Sequence, residues 1–189
     1  MGNIYDKLDE QLMTFINAQN MFFVATAPLS SGGHVNVSPK GYDCFKIINP
    51  TTVAYLDLGG SGIETLAHLK ENGRITIMFC AFEGKANILR LYGQGSAVSF
   101  DESGFDEALA LFPNHSRARS IITINITRIA DSCGFGVPFY EFKGERDQLM
   151  RSAHHKSEAD WKEYRYMRNP ESIDGLEGLV KPNKVKPAK

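Results

Sequence analysis

The sequence predicts a mainly β, α+β protein: a six-stranded antiparallel barrel of Greek-key type with short peripheral helices. Two observations lead there. Short apolar or alternating runs follow one another with turn residues between them. Those runs do not alternate with long helices, which argues against a doubly wound parallel sheet.

The elements follow in chain order. Leu8, Leu12, Phe15 and Ile16 recur at helical spacing, so residues 6–18 form an amphipathic helix. Residues 21–27 are a buried strand ended by Pro28, and 30–33 are a Ser-Gly turn. Residues 34–38 alternate polar and apolar, 45–50 lead into a turn, and 52–58 form a further strand. A glycine loop at 59–62 opens a helix at 63–72, with Gly73 at its C-terminal end. Residues 74–82 and 87–98 are strands, and Gly93 and Gly95 in the second mark a bulge or a close approach. A helix capped by Asp101 or Ser103 covers 101–112, a long alternating strand covers 120–129, and residues 145–168 are helical and charged.

Composition narrows the function. A net charge of −1 gives no field for a nucleic acid or a polyanion. The one basic run, 181–189, is expected to be a solvated tail behind a single domain at 1–180. Three cysteines, Cys44, Cys80 and Cys133, stand far apart without a paired motif, so neither a disulfide framework nor a zinc cluster is expected, and Cys80 reads as a buried small hydrophobe. The first residues have no basic-then-apolar leader, and no apolar stretch approaches membrane-spanning length. A cytoplasmic protein is expected.

Three features can carry chemistry. In the run from Leu56 to Thr65, a strand, a Gly-rich loop and a helix start follow one another. Free N–H groups at such a start favour an anion, and Ser61 and Thr65 add hydroxyls. A dinucleotide fingerprint would need a third glycine where Thr65 stands. The second feature is Asn36-Val37-Ser38-Pro39-Lys40-Gly41, which brings Lys40 to a strand end. The third is Arg90, a charge inside an apolar strand that must find a partner or face a cleft. The serines and histidines form no nucleophilic triad pattern, and adjacent His154 and His155 point to different helix faces, so no catalytic residue is named and no metal site is expected. His68 is expected at the surface or an interface. Trp161, Tyr164, Tyr166 and Met167 give the last helix an apolar face that must be buried.

Together these features resemble the pyridoxamine 5'-phosphate oxidase-like superfamily of flavin-binding split β-barrels. The resemblance runs from Phe22 to Val98, resumes at Ser132-Cys133-Gly134-Phe135-Gly136-Val137-Pro138 and extends to the stretch from Tyr164 to Leu179. Its most specific parts are Gly62-Ile63-Glu64-Thr65-Leu66-Ala67-His68-Leu69, Glu71-Asn72-Gly73-Arg74-Ile75-Thr76 and Arg90-Leu91-Tyr92-Gly93. The resemblance implies a homodimer with flavin mononucleotide (FMN) in a cleft between subunits. It implies that Lys40, flanked by Ser38 and Gly41, contacts the cofactor. Leu56 and Asp57 then lie beside the ribityl chain, and Ser61, Gly62, Glu64 and Thr65 lie in the phosphate-binding segment. Arg90 matches a strand arginine of some oxidases. Trp161 is expected to pack with residues 161–179 over the flavin cleft.

Two departures matter. Glu64-Thr65 stands where the oxidases carry an Arg-Lys pair, and their C-terminal Trp and Arg-x-His-Arg pattern is absent, so oxidation of pyridoxamine phosphate itself is not expected. The implied activity is an oxidoreductase passing hydride between a small organic substrate and the flavin. The alternatives are a non-catalytic flavin-binding or storage protein, or a split barrel that holds deazaflavin or haem.

Overall fold

The computed structural model describes residues 2–113, 115 and 118–182; most of the basic tail lies outside them. In chain order the elements are β1 (Ile4–Tyr5), α1 (Glu10–Asn17), β2 (Phe22–Thr26), β3 (Asn36–Lys40), β4 (Phe45–Asn49) and β5 (Thr52–Asp57). Then come α2 (Glu64–Asn72), β6 (Arg74–Cys80), β7 (Ile88–Ser99), α3 (Phe105–Leu109), β8 (Ser120–Ser132), α4 (Gln148–His154) and α5 (Glu158–Arg168). Among the described residues eight strands form instead of six. The segment at 45–49 pairs with β5, and the short β1 pairs with β8 through Ile4 and Ala130.

One antiparallel sheet runs in the order β3-β2-β6-β7-β8-β5-β4, with β1 beside β8. Its two ends curl toward each other. Phe22 on β2 meets Phe45 on β4 at 5.1 Å and Tyr55 on β5 at 5.6 Å, although no hydrogen-bonded ladder joins these strands. Phe79 on β6 closes the aromatic group against Phe45 at 5.1 Å. The barrel is therefore joined by aromatic edges on this side and split between β3 and β4.

Register decides which residues face inward, because directly paired residues share a face. The inner face carries Val24, Ile77 and Leu91 in one row, and Tyr55 beside Ile122 in another. All of these are buried. Asn36, Ser38 and Lys40 pair with Thr26, Val24 and Phe22, so their side chains point to that same face, as Asp57 does next to Ser120. The polar end of the barrel is thus built by strict alternation. Gly93 sits at the one register shift between β7 and β8, where a Cβ would come within 2.4 Å of the Asn125 carbonyl.

Helix boundaries differ from expectation for local reasons. The Asp9 carboxylate accepts from Leu12 N at 2.8 Å, so α1 starts at Glu10 and buries Leu12 and Ile16. The Glu102 carboxylate is taken by Ser99 N at 2.6 Å, and Gly104, at φ +88, starts the shorter α3 in place of Asp101 or Ser103. Ser157 accepts from Asp160 N and begins a new helix, which splits the expected charged helix into α4 and α5. Beyond α5 the chain folds back on itself, with Leu179 N donating to Asn169 O at 2.7 Å. It closes a second apolar cluster of Ile63, Leu66, Phe100, Trp161 and Leu179.

Since Phe22 touches three rings from both ends of the curled sheet, its loss opens a cavity at the closure. Phe22→Ala is expected to cost about 3–5 kcal/mol of unfolding free energy, and Phe22→Leu clearly less. Urea unfolding of the two variants measures this.

Candidate functional site

Asp57 ends β5 with its carboxylate on the inner face and 2% exposed. Its Oδ2 accepts from Arg119 Nε at 2.8 Å and from the Ser120 hydroxyl at 3.3 Å. Its Oδ1 accepts from Gly59 N at 3.1 Å and Lys40 Nζ at 3.4 Å. Burial by itself would raise the carboxyl's pKa, but the charges of Arg119 and Lys40 and the hydrogen bonds outweigh it and hold Asp57 well below the usual carboxylate range. Lys40 and Asp57 meet because β3 and β5 present them to one barrel end across the split.

The glycine turn that follows is held from two directions. Arg119 Nη1 donates to Gly62 O at 2.5 Å. From α5, Arg165 Nη2 donates to Leu58 O at 2.8 Å, and Asn169 Nδ2 donates to Gly60 O and Ser61 O at 3.2 and 3.3 Å. Gly59, at φ +80, is the one residue type that fits beneath Arg165, since a Cβ there would lie 2.0 Å from Nη1. The guanidinium of Arg165 stacks 3.5 Å from the Trp161 ring. Burial, and then the charge of Arg119, pull the Arg165 pKa down to about 9, so it remains a cation at neutral pH. Ser61 and Gly62 are exposed, and Ile63, at the N-cap of α2, offers no side-chain cap.

A buried polar row lies behind the turn. Asn36 Nδ2 donates to the hydroxyls of Thr65 at 3.0 Å and Thr26 at 3.2 Å, and Ser38 donates to Asn36 Oδ1. His68 is fully buried, not at the surface, with Nδ1 2.9 Å from the Thr26 hydroxyl. Burial lowers its pKa, so the ring is neutral at neutral pH. α2 turns His68 onto β2, and nothing in a one-residue reading distinguishes that face from the outer one.

On the other side of Lys40 opens a cavity of about 720 Å³, lined by Met21, Lys40, Gly41, Tyr42, Phe82 and Tyr140 among others. The backbone at Tyr42, one of the lining residues, is strained. Tyr42 and Asp43 both take positive φ, at 68° and 49°, a conformation that costs non-glycine residues about 1–2 kcal/mol each. Three contacts hold it: Glu145 accepts from Tyr42 N at 2.8 Å, Arg146 O accepts from the Tyr42 hydroxyl at 2.5 Å, and His115 Nε2 lies 3.0 Å from Tyr42 O.

The expected site residues therefore divide. Lys40, Asp57 and the turn through Ser61, Gly62 and Glu64 share one barrel end with Gly41 and Leu56, and Ser38 and Thr65 lie in the polar row. Leu56 is wholly buried. Arg90 stands apart on the other face of β7, where Nη1 donates to Ser132 at 3.1 Å. Trp161 is buried over α2 and touches the turn through Arg165, while Tyr164 and Met167 remain outside the buried face. Tyr164 instead lies between the cations of Lys156 and Arg168. Sequence reasoning missed Arg119, Arg165 and Asn169, and took Asn36 only as the start of the run that ends at Lys40 and Gly41. Each lies far along the chain from its partner, and the one available signal was a charge or an amide beside an apolar run.

A family model described as pyridoxamine 5'-phosphate oxidase matches residues 8–133. The pyridoxamine 5'-phosphate oxidase family protein ustO of Aspergillus flavus is 35% identical over 197 residues, covering 95% of this chain and 78% of that protein. Two solved structures share the fold. HupZ of Group A Streptococcus is 19% identical, with a TM-score of 0.54 over 71% of this chain and 99% of its own. A protein of Lactobacillus delbrueckii is 17% identical, with a TM-score of 0.50 over 66% of this chain and 94% of its own.

The depressed Asp57 pKa has a pH signature. Its stabilisation is complete above the unfolded carboxyl value of about 4 and drains as pH falls toward the folded value. Asp57→Asn leaves Arg119 buried without its carboxylate and is expected to cost about 3–5 kcal/mol at neutral pH. That deficit should shrink below about pH 4. Urea midpoints of both proteins across this range test the assignment, and a deficit that does not change with pH contradicts it.

Proposed function

The chain belongs to the pyridoxamine 5'-phosphate oxidase family, and on that premise we propose that it binds FMN at the barrel end around Lys40 and the glycine turn. The observation that carries this reading is one juxtaposition. Lys40 lines the 720 Å³ cavity and also reaches Asp57, which holds Gly59 at the root of the turn. The volume suits a cofactor-sized ligand.

The donor set fits the group. The exposed turn at Ser61 and Gly62 offers backbone donors for a phosphate, Lys40 offers a charge for the phosphate or a ribityl hydroxyl, and Tyr42, Phe82 and Tyr140 offer aromatic walls for a ring. Bound flavin supplies hydride transfer with a small organic substrate. The chain's own part is to position the ring, fix the phosphate end and keep water from the cavity. Phe135 and Phe139, 85% and 80% exposed, support closure of the cleft by a second copy of the chain.

Protein purified from a flavin-replete host is expected to be yellow, and mass spectrometry of the released ligand is expected to identify FMN. A sharp Soret band, or a deazaflavin mass, overturns the assignment. Lys40→Ala is expected to weaken FMN by about 1.5–3 kcal/mol, as the loss of one charge-assisted hydrogen bond does, and riboflavin by less. Light scattering is expected to show a dimer; a monomer that retains flavin contradicts the shared cleft.

A further inference from the structure

We infer that residues 140–146 form a strap, shut in this structure, and that its release from Tyr42 opens the cavity at the start of β2 to a small organic molecule. That the molecule is a substrate rests on the flavin reading above; the strap itself does not.

Strand pairing places the strap. Phe22 pairs with Lys40 and Phe23 with Met78, so the start of β2 and the ends of β3 and β6 meet at one end of the sheet. Residues 140–146 cross that end without helix or strand, and all of them are exposed. One tie lies just beyond β6. Tyr140 N donates to Phe82 O at 3.0 Å, the two rings lie 5.5 Å apart, and Phe142 N donates to Glu83 Oε1 at 3.3 Å. The other tie lies just beyond β3, where Tyr42 gives its N–H to Glu145 and its hydroxyl to the Arg146 carbonyl. Lys143 pairs with Glu141 inside the strap and does not fasten it to the barrel. Between its ties the strap lines one wall of the cavity, and Ala18 to Met21, ahead of β2, line another.

The tie at Tyr42 is made against the backbone. Tyr42 and Asp43 both sit at positive φ, where a Cβ is unfavourable, and contacts must enforce that shape. The strap supplies two of them, to the Tyr42 N–H and hydroxyl, and His115 at 3.0 Å from Tyr42 O supplies a third. A shut strap and a strained turn therefore belong to one state, and a lifted strap and a relaxed turn to another. Gly144, at φ +134 with nothing within 4 Å of a Cβ, gives the strap a pivot beside Glu145. Both bonds from Tyr42 are exposed, so water competes for each donor and the latch is weak enough to open.

Two variants move this equilibrium in opposite directions without altering the strap's own residues. Tyr42→Phe removes the hydroxyl bond to Arg146 and keeps the ring. Asp43→Gly removes the backbone penalty of the shut state. Each is built into the full chain beside Met21→Cys, and alkylation of the introduced thiol by iodoacetamide is followed by peptide mass spectrometry. Trypsin nicking after Lys143 is followed on the same proteins. Tyr42→Phe is expected to speed both reactions several-fold, and Asp43→Gly to slow both. Cys80, buried on β6, is expected to stay unreactive throughout, which separates opening from unfolding. Any other pattern overturns the inference: no change, alkylation that moves without nicking, or faster reaction in Asp43→Gly. A colourless protein with the expected pattern keeps the strap and loses only the flavin reading; a yellow protein without it loses only the strap.

Discussion

A carboxylate shut away from water must be surrounded by donors, and Asp57 draws its four donors from three separate parts of the chain. Lys40 arrives on β3, Gly59 from the turn just beyond β5, and Arg119 and Ser120 from the start of β8. Removing one partner from such a cluster leaves an uncompensated buried charge, so the arrangement tolerates few alternatives. It fixes where β3 stands relative to β5, although no backbone ladder connects them. It also fixes the first residue of the glycine turn. The barrel's apolar rows would fill their volume in several ways. The ion cluster chooses among them and decides which end of the barrel is polar.

The aromatic contacts do complementary work at the same closure. Phe22, Phe45, Tyr55 and Phe79 meet edge to face, so the curled sheet is joined by ring packing where it lacks hydrogen bonds. A split barrel closed this way leaves β3 free on one side, next to the cavity. The strained pair Tyr42 and Asp43 sits in that opening, held by Glu145, Arg146 and His115. Strain of this kind persists only where neighbours over-determine it.

Most of the fold was legible because strand alternation and turn chemistry are local. The runs at 21–27, 52–58, 74–82, 87–98 and 120–129 all became strands, and Gly73 and Gly93 fell where a positive φ and a bulge required them. The misjudged boundaries were also local, but they turned on which carboxylate or hydroxyl wins a given N–H, as at Asp9, Glu102 and Ser157. The site was half legible. Lys40, Asp57 and the glycine turn stood out by residue type and spacing. Arg119 and Asn169 did not, since they act across 62 and 109 positions on Asp57 and Gly60, and a single sequence contains no signal linking them. His68 was misplaced for the same reason: a histidine on a helix is polar by type, and only its packing on Thr26 makes it internal.

The carbonyls of the glycine turn are held by side chains from near the end of the described chain. During synthesis the strands from β2 to β8 leave the ribosome well before α5 does, and domains generally fold from the N-terminal side as they emerge. Until Arg165 and Asn169 appear, Leu58, Gly60 and Ser61 have only solvent to satisfy their carbonyls, and the glycines leave that loop free to sample many shapes. The glycine turn therefore takes its final shape after the barrel that carries it. A nascent chain holding a finished barrel would still carry a glycine turn of no fixed shape, and only α5 would set it.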